Sequence, residues 1–249
     1  MPCWDGDTTR LAILSDIHAN LPALDVVLAD IGRLACDRIY HAGDLIGIGP
    51  YPAEVVDLAR DTGLRCVQGN HDQLLTTGIP LAPTPNMDDG ELMHQHWTHS
   101  RLHLAHRDFI RAFPYLRRET IDGVDLTVVH FALTAAGNSF KRVSPGGSDE
   151  EILRSFDETP GTLVCFGHLH SRQFNRQFAG RHFLSAGGVG CSHDSTAAYA
   201  VLDLHGGAFE VELRKVKYER GALLKRYDEL EVPARESIRK AFFGVTGTA

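Results

Sequence analysis

Apolar and polar positions follow two different periods in the first half of the chain, and the two periods alternate. The apolar run RLAILSD predicts a buried strand, and LPALDVVLADIGRLA, with apolar residues three and four apart, predicts an amphipathic helix. The same order recurs in the strand pattern RIYHAGD, the helix pattern YPAEVVDLARDTG and the strand pattern LRCVQGN. Two successive strand-helix-strand units predict a largely parallel sheet covered by helices.

The second half is rich in short strand patterns, several of which are separated by glycine-containing turns. Seven segments have this character: LRRETI, VDLTVVHF, TLVCFG, RQFNRQF, RHFLSAG, AAYAVLDL and AFEVELRKV. Between them SDEEILRSF begins a helix, with Ser148 and Glu151 in the register of a capping box. Because no linker, repeat or low-complexity segment divides the chain, we predict one domain over residues 1–249 with two packed sheets.

Two further segments are predicted to be helical additions to the sheets. Residues 76–90 carry three prolines and no periodicity, which predicts an exposed loop, and the following segment to residue 113 reads as one helix. Together they form an insertion of about residues 76–113. The tail from about 218 to 243 is predicted as peripheral helices.

Composition narrows the classes of partner. The 249 residues are 43% hydrophobic and 23% charged, as in ordinary soluble globular proteins. A net charge of −7 without any basic run makes nucleic-acid binding an unlikely use of this surface. The apolar stretches are shorter than the roughly 20 residues of a membrane span, and we recognise no secretion signal at the start. We therefore expect a cytoplasmic protein without a membrane partner.

The cysteines agree with that location. There are five, none in a C-x-x-C pair, and we expect them to be reduced and structural: Cys3, Cys36, Cys66, Cys165 and Cys191.

Five predicted strands are followed by side chains that can bind metal ions. These candidates are Asp16, His18, Asp44, Asn70, His130, His168 and His170. The carboxyl ends of strands form the functional crevice of open α/β sheets, so we expect these side chains to converge there. In SDIH and GHLH the two candidates are two residues apart, which on a regular strand places both on one face. Glycine directly precedes Asp44, Asn70 and His168, and we expect it to allow a sharp backbone there.

The mixture of imidazole and oxygen ligands indicates the kind of metal. It suits first-row divalent ions such as Mn, Fe, Co, Ni or Zn better than an all-oxygen calcium site. Seven side chains are too many for one tetrahedral zinc. Two ions about 3.5–4 Å apart that share a bridging carboxylate fit the count. Each short motif is common by chance, but their joint occurrence at strand ends favours a metal site.

The blocks SDIHAN, HAGDLIGIGP, GNHD, VVH and GHLH resemble the five signature blocks of the calcineurin-like metallophosphoesterases, and GDLIGIGPYP most resembles their small prokaryotic phosphodiesterase-like branch. The resemblance runs from about Leu11 to His170. It implies an α/β fold, a four-layer α-β-β-α sandwich of two mixed β-sheets flanked by helices, with the insertion near the site as a cap. It also implies one cation at Asp16, His18, Asp44 and His170, and a second at Asp44, Asn70, His130 and His168. His71 would be the general acid.

The function implied is hydrolysis of phosphodiesters or phosphomonoesters of small or nucleotide-like molecules by a hydroxide that bridges the two metals. Dinucleoside polyphosphate hydrolysis and Ser/Thr protein phosphatase activity are alternatives. The second loses support because Gly47 and Ile48 stand where that branch carries an Asp-Arg pair. A non-catalytic scaffold is an alternative of another class, although such scaffolds lose ligands and here every position is filled. The sequence leaves the oligomeric state open.

Several further polar residues are weaker candidates. We expect Asn20 and Tyr51 on the substrate side of the site. Asp72 either orients His71, supports a ligand from behind, or caps the turn that follows. A second histidine cluster has spacings of 3, 4 and 3, which predicts that its members share one face of a helix: His96, His99, His103 and His106. This face is either a solvated surface or a lid or extra metal site.

Overall fold

The backbone forms ten-residue hairpin strands as well as much shorter ones, arranged in two sheets. The computed structural model describes residues 8–84, 87–142 and 147–245. Its strands are β1 (Thr9–Leu14), β2 (Arg38–His41), β3 (Arg65–Cys66), β4 (Leu116–Ile121), β5 (Val124–Val129), β6 (Leu163–Cys165), β7 (Phe174–Phe178), β8 (Arg181–Ser185), β9 (Thr196–His205) and β10 (Ala208–Lys217). Its helices are α1 (Leu21–Leu34), α2 (Pro52–Asp61), α3 (Asn70–Thr77), α4 (Asp89–Ser100), α5 (Leu104–Arg111), α6 (Asp149–Arg154), α7 (Arg220–Glu229) and α8 (Arg235–Phe243).

Both sheets are mixed. The first has the strand order β10-β9-β1-β2-β3, in which β1, β2 and β3 are parallel and β9 runs antiparallel to β1. The second has the order β4-β5-β6-β8-β7, with a parallel centre of β5, β6 and β8 and an antiparallel strand at each edge. The prediction of an α/β fold with two packed mixed sheets is confirmed.

The layers follow from the side-chain alternation of the strands. In β1, Leu11 and Ile13 point into a core shared with β5, β6 and β8 of the other sheet. Ala12 and Leu14 point to the opposite face, where they pack against apolar residues of α1 and α2. Because both faces are covered, the strand is apolar throughout. A third apolar cluster joins the outer face of the second sheet to α6, which completes four layers.

Local signals fix the ends of the helices. The Asn20 side chain caps α1 by accepting the N–H of Ala23 at 3.1 Å. Pro52 begins α2, where its missing N–H costs nothing. The predicted capping box of α6 is confirmed, since Ser148 and Glu151 exchange hydrogen bonds. Within the described ranges no helix has both the length and the apolarity that crossing a bilayer requires.

The helical insertion differs from its prediction in two respects. Helix α3 begins at Asn70, where a strand end and a turn were expected. The predicted single helix up to residue 113 is broken, because Leu102 turns into the core and is only 4% exposed. Arg107 donates to two carbonyl groups at the break, those of His99 at 2.7 Å and Leu102 at 3.1 Å. Residues 85–86 of the predicted loop lie outside the described residues, as does Cys3.

Candidate metal centre

All seven predicted metal ligands lie at one end of the two sheets. Asp16 and His18 follow β1, Asp44 follows β2, and Asn70 follows β3. The second sheet contributes His130 after β5 and the pair His168 and His170 after β6. The sheets therefore bring together ligands from chain positions more than 150 residues apart.

The backbone at the ligands is not a continued strand, so the expectation of two ligands on one strand face was wrong. Strand β1 ends at Leu14 and strand β6 at Cys165. Five ligands have left-handed φ angles: Asp16 (52°), His18 (48°), Asp44 (60°), His168 (72°) and His170 (42°). Residues other than glycine rarely adopt a left-handed backbone conformation, and such backbone strain concentrates at functional sites.

Of the three glycines that precede ligands, only Gly43 has a positive φ, of 86°. The other two are needed for space. A Cβ on Gly69 would lie 2.1 Å from Asp44 Oδ1, and one on Gly167 would lie 2.7 Å from Asp16 Oδ2. These two glycines therefore allow the carboxylates to sit against the neighbouring backbone.

The first group of ligands comprises Asp16, His18, Asp44 and His170, whose donor atoms all lie within 4.8 Å of one another. His170 Nε2 is 3.5 Å from Asp16 Oδ1, and His18 Nε2 is 3.7 Å from Asp44 Oδ2. The two imidazole nitrogens are 3.0 Å apart. The side chains of Asp16 and His18 are fully buried, whereas the His170 side chain is 24% exposed and borders the solvent.

The second group comprises Asp44, His130 and His168, again within 4.8 Å, with Asn70 beside them. Asn70 Oδ1 is 3.0 Å from His130 Nε2 and 2.9 Å from His168 Nδ1. His130 Nε2 is 3.3 Å from Asp44 Oδ2. Asp44 belongs to both groups, as a carboxylate shared by two ions would.

The donor set fits divalent cations. His18 Nδ1 faces the Ile46 carbonyl at 3.3 Å, and His130 Nδ1 faces the Ala42 carbonyl at 2.8 Å. Because a carbonyl only accepts, each of these nitrogens carries the proton, and the Nε2 lone pair points into the centre. Lone pairs and two carboxylates thus face one another at short range, an arrangement that a bound cation stabilises.

The charges of the site act strongly on one another. Burial alone would raise the pKa of Asp44, but the nearby imidazoles, above all His130, hold it well below its usual range. Burial would lower the pKa of His130, yet the negative charge of Asp44 raises it to about 9. Burial, with some repulsion from His130, lowers the pKa of His168 to about 3. A cation bound here would supply positive charge beside Asp44 and would compete with a proton for His130 Nε2.

Asp72 holds the Asp44 loop from behind and also caps α3. Its fully buried carboxylate accepts the N–H of Asp44 at 2.9 Å, that of Leu45 at 3.1 Å and that of Gly69 at 3.0 Å. Burial and the charge of Asp44 raise the pKa of Asp72 to about 7. These contacts join Asp72 to the loop that carries Asp44 and to the first turn of α3, in which Asp72 itself lies.

The side chain of His71 is oriented by a residue to which no sequence pattern points. Its main-chain N–H donates to Asp44 Oδ1 at 2.8 Å, and its ring stands at right angles to that of His18, with centroids 5.0 Å apart. Gln95 of α4, almost fully buried, places its side-chain Nε2 3.0 Å from His71 Nδ1. The contact occupies Nδ1 and leaves Nε2 for a substrate.

The two residues expected on the substrate side have other contacts. Asn20 is fully buried. Its Oδ1 accepts a hydrogen bond from the N–H of Ala23, and its Nδ2 donates to the Gly190 carbonyl at 2.8 Å. It cannot reach a substrate, and that prediction was wrong. Tyr51 is half-buried, and the guanidinium of Arg226 lies 5.7 Å from the centroid of the Tyr51 ring. Tyr51 lines neither of the two cavities described below.

The second histidine cluster does not form one helical face, because the break before α5 separates its members. His96 and His103 are exposed, and His99 is half-buried. His106 is buried and its Nε2 is 3.1 Å from Asp57 Oδ1. Among the described residues, none of the groups able to hold a metal includes any of the four.

Two cavities lie beside the metal centre, and Phe242 of α8 lines both of them. The first, of about 870 Å³, extends from His170 towards His193 and Lys215. The second, of about 660 Å³, lies at His71 and is lined by side chains of the start of α4 and of α8. The ring of Phe242 is 5.7 Å from that of His170, so α8 overhangs the centre from the C-terminal tail.

Comparison with known proteins identifies the family. Residues 10–207 match the calcineurin-like phosphoesterase superfamily domain. The chain belongs to the calcineurin-like phosphoesterase superfamily. This match confirms the resemblance drawn from the five sequence blocks. An uncharacterized protein of Methanocaldococcus jannaschii is 25% identical over 238 residues, 89% of this chain and 92% of that protein.

Two solved structures share the calcineurin-like phosphoesterase fold over nearly their whole length. A metallophosphoesterase from Sphaerobacter thermophilus is 27% identical with a TM-score of 0.68, over 93% of this chain and 97% of that chain. A hypothetical protein from Pyrococcus horikoshii is 20% identical with a TM-score of 0.76, over 96% of this chain and 100% of that chain. At 20% identity the second structure shows the fold alone.

Proposed function

We propose that the protein is a binuclear metal-dependent phosphoesterase that hydrolyses phosphodiester or phosphomonoester bonds of small or nucleotide-like molecules. The observation that carries the proposal is the sharing of Asp44 by two groups of ligands, with His71 beside them. The metallophosphoesterase of Sphaerobacter thermophilus, at 27% identity, supports it.

The residues of the chain have distinct tasks in this reaction. When bound, two divalent cations neutralise the charge of the phosphate and make a water molecule nucleophilic at neutral pH. The seven ligands would hold the cations that bind the phosphate, and the alkoxide expelled in hydrolysis needs a proton. His71 Nε2 supplies it, while Gln95 holds the ring through Nδ1.

The two cavities favour a diester with a substituent on each side. The leaving group would occupy the cavity at His71, which three carboxylates line: Asp88, Asp89 and Glu91. Negative charge there disfavours an anionic leaving group such as a nucleotide phosphate, and so argues against a dinucleoside polyphosphate hydrolase. A neutral or cationic alcohol suits this cavity. The opposite cavity contains Lys215 and His193, which suit an anionic or hydroxyl-rich group.

Gly47 argues against the protein phosphatase alternative. A Cβ at this position would lie 2.5 Å from His71 Nδ1, and its φ is +85°. An acidic side chain in its place, as in the Asp-Arg pair of that branch, would displace His71 from its present position. The chain therefore positions its proton donor with Gln95 instead.

The proposal is tested by hydrolysis assays on protein stripped of metal and reloaded with Mn, Co, Ni or Zn. The panel contains bis(p-nitrophenyl) phosphate, p-nitrophenyl phosphate and diadenosine tetraphosphate, with the metal-deficient variant Asp44→Asn as the inactive control. We expect metal-dependent turnover, faster on the diester. Full metal occupancy with no turnover above the control on any ester would favour a non-catalytic scaffold.

Loss of the Gln95 contact is expected to impair catalysis but not metal binding. Gln95→Ala should lower kcat by about 10–100-fold, as is typical when a partner that orients a catalytic group is removed. Gln95→Glu, which keeps the reach to Nδ1, should retain most of the activity. The control is Gln73→Ala, because Gln73 lies on the same helix as His71 but binds Tyr115 and Asn138 instead. Equal kcat values for Gln95→Ala and the wild type would contradict the positioning role.

A further inference from the structure

Cys191 lies next to the first group of ligands and was expected only to be structural. It follows β8 in the loop that leads to β9 and is 7% exposed. Its Sγ lies within 4.8 Å of a ring nitrogen of both His18 and His170, and these three side chains form a further group able to hold a metal. The sulfur is thus one member of a three-donor cluster, two of whose members already belong to the proposed metal centre.

The backbone holds Cys191 in this position through the segment that carries Asp16 and His18. Val189 N–H donates to the Ser15 carbonyl at 2.9 Å, and Gly190 N–H donates to the Asp16 carbonyl at 2.8 Å. A Cβ on Gly190 would lie 1.9 Å from the Ile17 carbonyl oxygen, so only glycine allows this close approach. The sulfur is therefore positioned by rigid contacts before any metal arrives.

The other described cysteines have no comparable surroundings. Cys66 and Cys165 are buried among apolar side chains of the sheets, and Cys36 is half-buried after α1. Among the described residues, Cys191 is the one cysteine in a group able to hold a metal. That group contains the two imidazoles of the first group of ligands but neither of its carboxylates.

We propose that Cys191 is a sulfur ligand of the cation held by His18 and His170, and that it biases this position towards thiophilic ions such as Zn or Co over Mn. With metal–sulfur and metal–nitrogen bonds of about 2.3 Å and 2.0–2.1 Å, a sulfur and a nitrogen on one ion are at most about 4.4 Å apart. The three donor atoms lie within 4.8 Å of one another, so binding a common ion requires at most a small closing movement. Binding forms one sulfur–metal bond and releases the thiol proton to solvent. Soft thiolate ligands select Zn over Mn, which prefers oxygen. The inference rests on the proposed function only in requiring a metal at this centre.

The test is optical spectroscopy of the full-length protein titrated with Co(II). A thiolate bound to Co(II) gives a near-ultraviolet charge-transfer band, which we expect in the wild type and not in Cys191→Ser or Cys191→Ala. Cys36→Ser is the matched control, since it removes a thiol far from the centre, and it should keep the band. Melting curves of the metal-free proteins are the check that each variant is folded.

A competition between Zn and Mn gives a second readout. The preference for Zn should fall by about 10–100-fold in Cys191→Ser. Cobalt bound at two per chain without the charge-transfer band would overturn the sulfur ligand and leave the proposed function intact. Failure to bind cobalt at all would overturn both proposals. A charge-transfer band without hydrolysis of any ester would support the sulfur ligand and contradict only the proposed activity.

Discussion

His71→Ala is expected to lower turnover by about 10²–10⁴-fold, the usual contribution of a general acid, while the metal content stays unchanged. The side chain lies beside the ligands but contributes none of the donor atoms in the two metal groups. Its link to Asp44 is made by the main-chain N–H, which alanine retains. The measurement is kcat together with metal analysis of the same purified sample.

The loss should depend on the leaving group. A p-nitrophenolate leaves with little help from a proton, whereas an alkoxide needs one, so the defect should be larger on an alkyl ester than on a p-nitrophenyl ester. His96→Ala is the control, because His96 is exposed on α4 and outside both ligand groups. An equal defect on both esters would mean that His71 acts other than as the proton donor.

Asp44→Asn is expected to show the opposite pattern, with metal lost first and activity lost as a consequence. The amide can keep the oxygen that accepts the His71 N–H at 2.8 Å. It replaces Oδ2, which lies 3.3 Å from His130 Nε2 and 3.7 Å from His18 Nε2, by an NH₂ group that cannot bind a cation. Because Asp44 belongs to both groups, the affinity for both ions should fall by at least about 10–100-fold.

Melting curves with and without metal measure this loss separately from folding. A ligand at 100 times its Kd stabilises the folded protein by about 2.7 kcal/mol, so added Mn or Zn should raise the Tm of the wild type and not that of Asp44→Asn. Asp125→Asn is the control, since Asp125 pairs with Arg118 on the surface, away from the centre. A metal-induced rise in Asp44→Asn equal to that of the wild type would contradict the bridging role.

The fold was largely predictable because its strands either alternate apolar and polar residues or are apolar throughout. The segments predicted for β4, β5 and β8 agree with the structure to within a few residues. The return of β9 to the first sheet, beside β1, could not be predicted, because strand order depends on long-range packing that the pattern of each strand does not encode. Helix α3 was missed because Gly69 and Asn70 are typical turn residues, and Asp72, three residues after Gly69, caps a helix there instead.

The site was predictable in its residue types but not in its geometry. Metal ligands recur in short blocks, whereas the left-handed backbone at Asp16 and His168 is imposed by contacts with other segments, such as Asp16 N–H with the Gly43 carbonyl at 3.0 Å. The role of Gln95 could not be predicted from the sequence, because its partner His71 is 24 residues away and a glutamine is common in any helix. Asn20 was misassigned because a cap residue and a substrate ligand have the same polar character.

Anomalous diffraction from crystals of the protein loaded with Mn or Zn tests the central claim most directly. The account predicts two peaks about 3.5–4 Å apart. One should lie among Asp16, His18, Asp44 and His170, and the other among Asp44, Asn70, His130 and His168. A single peak, or two peaks that do not share Asp44, would contradict it.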